Sequence, residues 1–479
     1  MAATLSRALL KAETRTLLKS SASLTLEGER SEDAAQARRS RSRRILLSGF
    51  VIFLVAFGLR LLALEDNRYE ALKVQTMVTE GYRHAARLMR EGGINSFFSA
   101  ASPLADPNHL GHPPGYSIVM AAVNGFGGDA DWTVRLVQIA ADAAAAVIVF
   151  LIACELFSMT TACVAGLLVA LAPQFTYNST LLLPDTLSVL PLLLAVFCLV
   201  RAMKRPRLAL LLATGALMGV SCWLRANAMM LVFFAALWIP IWFERGHRVR
   251  LALALIGGML LVVAPLTIRN AIVYGHFIPI SLGAGQTLLE GIADYDANAR
   301  FGIPATDMEI MEMEARIYAR PDYYGTLFNP DGILRERLRL KRGFGVIGSH
   351  PFWFAGVMLR RAAGMLRLER VHRISAEPPI AQGWTRWPRV FFNLIQRLFI
   401  TAVMLPLALG GLFLLVRKRR WQTLALLLVV PAYYLCFQSM LHTEYRYVLA
   451  IHYFLFVLVA FALHAAGVHV RSRLLKIKD

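Results

Sequence analysis

The sequence predicts an all-α polytopic membrane protein, a bundle of about ten to twelve transmembrane helices with a small extracytoplasmic region. Three observations predict it. The 479 residues are 57% hydrophobic and 17% charged, with a mean hydropathy of +0.52, a balance soluble domains rarely reach. Apolar windows recur at close to the ~20 residues needed to cross a ~30 Å hydrocarbon core, and unpaired backbone in lipid is so costly that such windows must be helices. Basic residues gather at the ends of these windows, from Arg38 to Arg44, Arg201 to Arg207, Arg245 to Arg250, Arg417 to Arg420 and Arg471 to Lys478, as in cytoplasmic loops. The net charge of +20 therefore marks topology, and nucleic acid is not an expected partner.

Residues 1–44 read as a basic cytoplasmic segment. Leu5, Leu9, Leu10, Leu17 and Leu18 fall near helical spacing among Lys and Arg, which suits either a helix on the inner membrane surface or a basic tail. Residues 27–44 are charged and Ser-rich and read as a linker. Ile45 to Leu64 begins too late and runs too long for a cleaved signal, so it reads as a retained helix.

The expected spans are 45–64, 114–127, 133–156, 160–177, 181–200, 208–223, 227–243, 250–272, 397–416, 421–439 and 446–466. With both termini in the cytoplasm, an even number of crossings must lie between residues 44 and 201. Five segments occupy that stretch. The shortest, 114–127, is expected to be re-entrant or packed in the outer half. Residues 45–272 then form a transmembrane module that includes the outer loop 65–113. Residues 273–396 form an extracytoplasmic region with an interfacial helix, around Pro351 to Leu368, a helix at Asp307 to Ala319 and a basic stretch at Arg335 to Arg342. Residues 397–479 supply the last spans and a basic tail. Cys154, Cys163, Cys198, Cys222 and Cys436 all lie in apolar segments without a CxxC, so they read as packing residues.

The chemistry is expected on the outer face. The first loop carries Asp66, Tyr69, Glu80, Tyr82, Arg83, His84 and Arg87, and closes with His112-Pro113-Pro114-Gly115-Tyr116. Tyr82, Ala85, Ala86 and Met89 stand at i, i+3, i+4 and i+7, which predicts a short amphipathic helix over Glu80 to Gly93. Glu80 would open it, where the helix dipole favours an ionised carboxylate fit to act as base or metal ligand; an acid that merely stabilises the helix is the plainer alternative. Asp185 is an acid inside an apolar run, a costly placement expected to be functional or paired with an arginine. Arg225, Arg269 and Arg446 stand at outer span ends, with His442 and Glu444 beside Arg446. Together they suit an anionic group, since arginine clamps phosphate oxygens through paired N–H donors. No P-loop, GxGxxG, HExxH or GxSxG is present, which argues against soluble nucleotide-dependent chemistry.

In this order, Tyr82 to Arg87, His112 to Tyr116, Arg135-Leu136-Val137-Gln138, Leu183 to Thr186, Leu224 to Asn227, Pro265 to Asn270 with Tyr274-Gly275, Ser281 with Gly283 to Gly285, and Glu444 to Tyr447, the chain resembles the GT-C membrane glycosyltransferases. The likeness covers about residues 45–466 and points to the bacterial branch related to protein mannosyltransferases and the lipid A aminoarabinose transferase. The resemblance implies inverting transfer of a sugar from a polyprenyl-phosphate donor to a lipid, glycan or protein acceptor, at the outer face of a bacterial inner membrane. It implies Arg225, Arg269 or Arg446 at the donor phosphate, and Tyr82, His84, His112, Tyr116 and Glu444 in the substrate pocket. The family's usual Asp a few residues before the tyrosine is missing. Val78 and Thr79 occupy the nearest positions, so Glu80 is the first choice of base and Asp66 the second, with Asp185 as a further acid. A diverged member with altered activity is the third possibility. Some relatives use a divalent metal; the carboxylates here are compatible with one, and no His/Asp spacing demands it. The competing expectations are a lipid or glycan flippase, which deep charges or repeated halves would favour, and a GT-C-like assembly protein without activity.

Overall fold

Wherever the backbone has only itself to hydrogen-bond with, it coils. The computed structural model has eighteen helices and no strand among its described residues, which are 36, 39–68, 76–127, 131–368, 372–377 and 383–478. Leu5, Leu9, Leu10, Leu17, Leu18 and Tyr69 lie outside them. The chain divides into a unit up to Val51, helical where described, and a main unit from Ile52 to Asp479.

Helix α1 (Arg39–Asp66) carries the first apolar run. It starts inside the expected linker, because arginine propagates a helix well. Helix α2 (Thr76–Phe98) buries Thr79, Tyr82, Ala85 and Ala86 along one face, as their spacing predicts. It begins before Glu80, which therefore sits one turn in, and it breaks at Gly93, whose φ of +64° only glycine adopts at no cost. Helix α3 (Gly115–Gly127) has 13 residues. At ~1.5 Å per residue it falls short of the hydrocarbon core.

The next helices are α4 (Asp131–Leu156), α5 (Met159–Leu171), α6 (Pro173–Asn178), α7 (Asp185–Lys204), α8 (Leu208–Leu224), α9 (Leu231–Trp242) and α10 (Arg248–Tyr274). Prolines set two boundaries that differ from expectation. Pro173 splits the span expected at 160–177 into α5 and α6, with Ala172 extended between them, because the residue before proline disfavours the helical region. Pro184 starts α7 at Asp185 instead of residue 181.

The polar region holds α11 (Ala284–Ala293), α12 (Asp307–Ile317), α13 (Gly332–Ser349), α14 (Pro351–Met365) and α15 (Arg386–Gln396). Then follow α16 (Thr401–Arg417), α17 (Trp421–Phe437) and α18 (Leu449–Lys478). Among the described residues, six helices, built on α1, α4, α7, α10, α17 and α18, are long and apolar enough to cross a membrane. The α15–α16 pair, bent by 61°, makes a seventh if counted as one span, and three further apolar helices are shorter. The molecule is a multi-pass membrane protein.

Close helix packing rests on glycine. A Cβ on Gly215 would strike the Leu255 carbonyl of α10, and one on Gly258 would strike the Leu212 carbonyl of α8. The two backbones touch where lipid supplies no hydrophobic drive and contact must come from fit. Gly115 meets the carbonyl of Trp223 in the same way, so the Pro-Pro-Gly turn seats α3 against the end of α8. Deep in the bundle, Arg60 Nε lies 2.5 Å from Asp142 Oδ2, Tyr453 donates to Asp142, and Arg60 Nη1 caps the Ala56 carbonyl at 2.9 Å. Part of the expected basic stretch turns inward: Arg335 and Arg339 are buried against Glu314 of α12, at 2.8 and 2.6 Å.

Candidate functional site

One cavity of about 650 Å³ opens where the ends of α7, α8 and α17 meet α2 and the polar region. Each element delivers its residues for a local reason. The buried face of α2 presents Val78 and Tyr82. Two short 3-10 turns over Pro103–Ala105 and Pro107–Leu110 lead to His112 and Pro113. The extended residue Arg225, between α8 and the 3-10 turn Ala226–Ala228, turns its side chain to the cavity.

One wall is ionic. Asp185, at the first position of α7 and 3% exposed, accepts a hydrogen bond from Arg225 Nη1. Its other oxygen lies 3.7 Å from Arg446 Nη1. Arg446 grips Glu444 with two donors, at 2.8 and 3.0 Å, and the Tyr447 hydroxyl donates to Glu444 at 3.2 Å. The Arg225 guanidinium stacks 3.8 Å from the Tyr447 ring centre. Burial alone would raise the Glu444 carboxyl, but Arg446 holds it below its usual range. His112 packs on Tyr82, ring centres 5.2 Å apart. Burial, then the charges of Arg225 and Arg446, push its imidazole down to about 4, so it is neutral at physiological pH.

Further lining comes from α11 and α12. Gln286 Nε2 donates to Glu290 at 3.3 Å and also to Asp307. Glu290 is buried, and burial, followed by the hydrogen bond and charge of Asp307, pushes its carboxyl up to about 9. Asp307 opens α12, capped by Thr306, whose hydroxyl accepts from Glu309 N at 3.3 Å. His442 also lines the cavity and shares a 2.9 Å hydrogen bond with Asp294. Much of the remaining lining is apolar, with Met229, Met230, Phe344 and Phe437.

The structure brings together Tyr82, His112, Arg225, Glu444 and Arg446, with Asp185 behind the two arginines. It places Tyr116 one layer back, fully buried, edge-on to Tyr82 at 4.9 Å and donating to Gln138 at 2.5 Å. Four expected residues stand elsewhere. Glu80 is 59% exposed and bonds Arg83 at 3.0 Å. Asp66 binds Arg389 and the Ser375 N–H. Arg269 donates to the Phe97 and Leu104 carbonyls, both at 2.9 Å, tying the first loop to α10. His84 is exposed and stacks on His109 at 5.8 Å. Sequence reasoning missed Gln286, Glu290 and Asp307; the i, i+4 pair Gln286/Glu290 and the Thr306-Asp307 cap were the signals available. Among the described residues, no group of three or more His, Cys, Asp or Glu is arranged to hold a metal ion.

Residues 111–268 match the family model of the dolichyl-phosphate-mannose-protein mannosyltransferases. No curated protein matches the chain by sequence. Among solved structures, the chain is similar to the apo oligosaccharyltransferase of Archaeoglobus fulgidus, with 14% identity, a TM-score of 0.50, and coverage of 90% of this chain and 51% of that one. It thus spans about half that relative's length. AglB from Archaeoglobus fulgidus, in complex with an inhibitory peptide and a dolichol-phosphate, matches at 13% identity and a TM-score of 0.49, covering 91% and 52% of the two chains. ArnT from Cupriavidus metallidurans, bound to undecaprenyl phosphate, matches at 17% identity and a TM-score of 0.34, covering 88% and 77%. The chain is thus similar in fold to the Archaeoglobus fulgidus oligosaccharyltransferase, and residues 111–268 resemble the dolichyl-phosphate-mannose-protein mannosyltransferases.

Proposed function

We propose that the protein transfers a sugar, with inversion, from a polyprenyl-phosphate donor to a lipid, glycan or protein acceptor. The reaction takes place on the extracytoplasmic side of a bacterial inner membrane, with both termini in the cytoplasm. The observation that carries this reading is the wall where buried Asp185 holds Arg225 and Arg446 side by side in a cavity whose remaining lining is largely apolar. The matched family description, which names a lipid-phosphate-linked sugar, supports it.

The acceptor hydroxyl oxygen attacks the anomeric carbon, and the bond from that carbon to the phosphate oxygen breaks. The lipid phosphate leaves with the electron pair, and the acceptor proton passes to a base. Arg225 and Arg446 meet the charge that grows on the departing phosphate, the interaction that lowers such a barrier most. Asp185 positions them, and Glu444 fixes the second. Met229, Met230, Phe344 and Phe437 offer the start of the prenyl chain an apolar wall. Glu80 and Asp66, each bound to arginine outside the cavity, take no part in this chemistry.

The test is release of polyprenyl phosphate by the purified full chain, given polyprenyl-phosphate sugars and a membrane extract as acceptor source. Arg225→Gln and Arg446→Gln should each lower release by about 100-fold or more, the usual effect of removing one transition-state donor. Wild-type rates in both variants, or no release by the unaltered chain, would sink the reading.

A further inference from the structure

Among the described residues, the first loop gives the cavity no carboxylate. What α2 presents there is Val78 and Tyr82. Of the acids in or behind the wall near the cations, Asp185 faces two guanidiniums, and Glu444 accepts two bonds from Arg446 and one from Tyr447. Both carboxylates are thus engaged in holding the cations of that wall. The other acids lining the cavity are Glu290 and Asp307, from the polar region.

These two differ in the way an acid–base pair requires. Asp307 is exposed at the first turn of α12, near the positive end of the helix dipole. Among the described residues no salt bridge engages it, and its hydrogen-bond donor is the neutral amide of Gln286. Glu290 is 8% exposed and lies against it. The charged groups that bear on Glu290 are Asp307 and Asp294; Asp294 is itself held by His442 and Arg361. Asp307 lines the same cavity as His112, Arg225 and Arg446.

Resting on the sugar-transfer reading, we infer that Asp307 is the general base for the acceptor hydroxyl, and that Glu290 and Gln286 position it. The base of this protein thus comes from the polar region after α10. As the acceptor oxygen bonds to the anomeric carbon and the phosphate departs, the hydroxyl proton moves to an Asp307 oxygen. Glu290, kept protonated, donates a hydrogen bond to Asp307 and holds its second oxygen. Gln286 fixes the rotamers of both.

The experiment compares turnover, donor binding and pH profile of the full-length chain in nanodiscs. Binding is read from the quenching that unlabelled polyprenyl phosphate causes in a bound fluorescent analogue. Asp307→Asn should lose at least 100-fold in turnover and keep wild-type affinity for polyprenyl phosphate. Glu290→Gln, which preserves a neutral donor, should keep turnover within about tenfold. It should also abolish the alkaline fall expected of the unaltered chain as Glu290 ionises beside Asp307; a merely structural Glu290 would leave that limb in place. Wild-type turnover in Asp307→Asn, with Arg446→Gln inactive, overturns the base assignment and leaves sugar transfer standing. Joint loss of binding and turnover in Asp307→Asn also overturns it, since the residue would then serve the donor site or the fold. No polyprenyl phosphate release by the unaltered chain removes both proposals.

Discussion

Asp185 Oδ2 lies 3.7 Å from Arg446 Nη1 while its other oxygen accepts from Arg225, so one carboxylate, 3% exposed, holds two cations that come from α8 and from the segment before α18. Two guanidiniums that close repel each other, and the buried negative charge is what lets them share a wall. Asp185→Asn should therefore destabilise the fold by about 3–5 kcal/mol, the cost of breaking a buried pair from one side. Arg225→Gln should cost less, because Asp185 keeps Arg446. Thermal unfolding in detergent measures both. Equal melting points for Asp185→Asn and wild type would show that the carboxylate is not what holds the arginines together.

Arg60, Asp142 and Tyr453 are not among the residues lining the cavity, and their clamp reads as a staple between α1, α4 and α18. Asp142→Leu should cost about 3–5 kcal/mol, since it leaves Arg60 charged and fully buried. Arg60→Met with Asp142→Leu should recover most of that loss, because a well-packed apolar pair of similar volume replaces a buried ion pair almost without penalty. A double variant as unstable as the single one would show that the charges themselves, and not their mutual neutralisation, are required.

Stability should bend with pH in opposite senses at His112 and Glu290. The unfolded imidazole takes a proton as pH falls through 6.5, whereas buried His112 resists until about 4. The unfolded state then binds more protons, so this contribution is complete above pH 6.5 and is lost as pH falls toward 4. Glu290 runs the other way. Its carboxyl rises from 4.5 to about 9 on folding, so the folded state holds the extra proton, and stability present below pH 4.5 is lost as pH climbs toward 9. Glu290→Gln should melt above wild type at pH 8.5 and close to it at pH 5; His112→Gln should flatten the acid side. Parallel melting curves for all three proteins across that range would contradict both shifts.

Glu80 shows what was and was not legible in the sequence. The helix that bears it could be read from the spacing of Tyr82, Ala85 and Ala86, and these residues are the buried face of α2. Which way an adjacent acid points depends on where that face docks, and periodicity does not encode the partner. Glu80 lies beside the buried stripe and faces Arg83 in solvent. Arg225 and Arg446 were legible because an arginine at a span end next to a second charge has few places to go. Glu290 and Asp307 were not, because they meet only when α11 packs near α12, across residues 294–306 of irregular chain. Glu80→Gln should accordingly leave turnover within about twofold and stability within ~1 kcal/mol, as expected for an exposed pair. A hundredfold loss in the polyprenyl phosphate release assay would return Glu80 to the reaction.

The contact between α8 and α10 sets the height at which Arg225 leaves the bundle, since Arg225 is the residue that ends α8. That contact is backbone on backbone at Gly215 and Gly258, where an added Cβ would overlap the carbonyls of Leu255 and Leu212. A carbonyl in a helix cannot rotate away without breaking its own hydrogen bond, so the helices must separate to admit a methyl group. Gly215→Ala should cost about 1–3 kcal/mol, as overpacking does elsewhere, although alanine is the better helix former by about 1 kcal/mol. Separation of α8 from α10 would also shift Arg225 relative to Asp185, so turnover should fall together with melting temperature. Gly257→Ala, on the partner helix α10 and next to Gly258, is the control. Nothing lies within 4 Å of its added Cβ, so it should raise stability or leave it unchanged and spare turnover. If Gly215→Ala and Gly257→Ala behave alike, helix propensity and not close approach governs this interface.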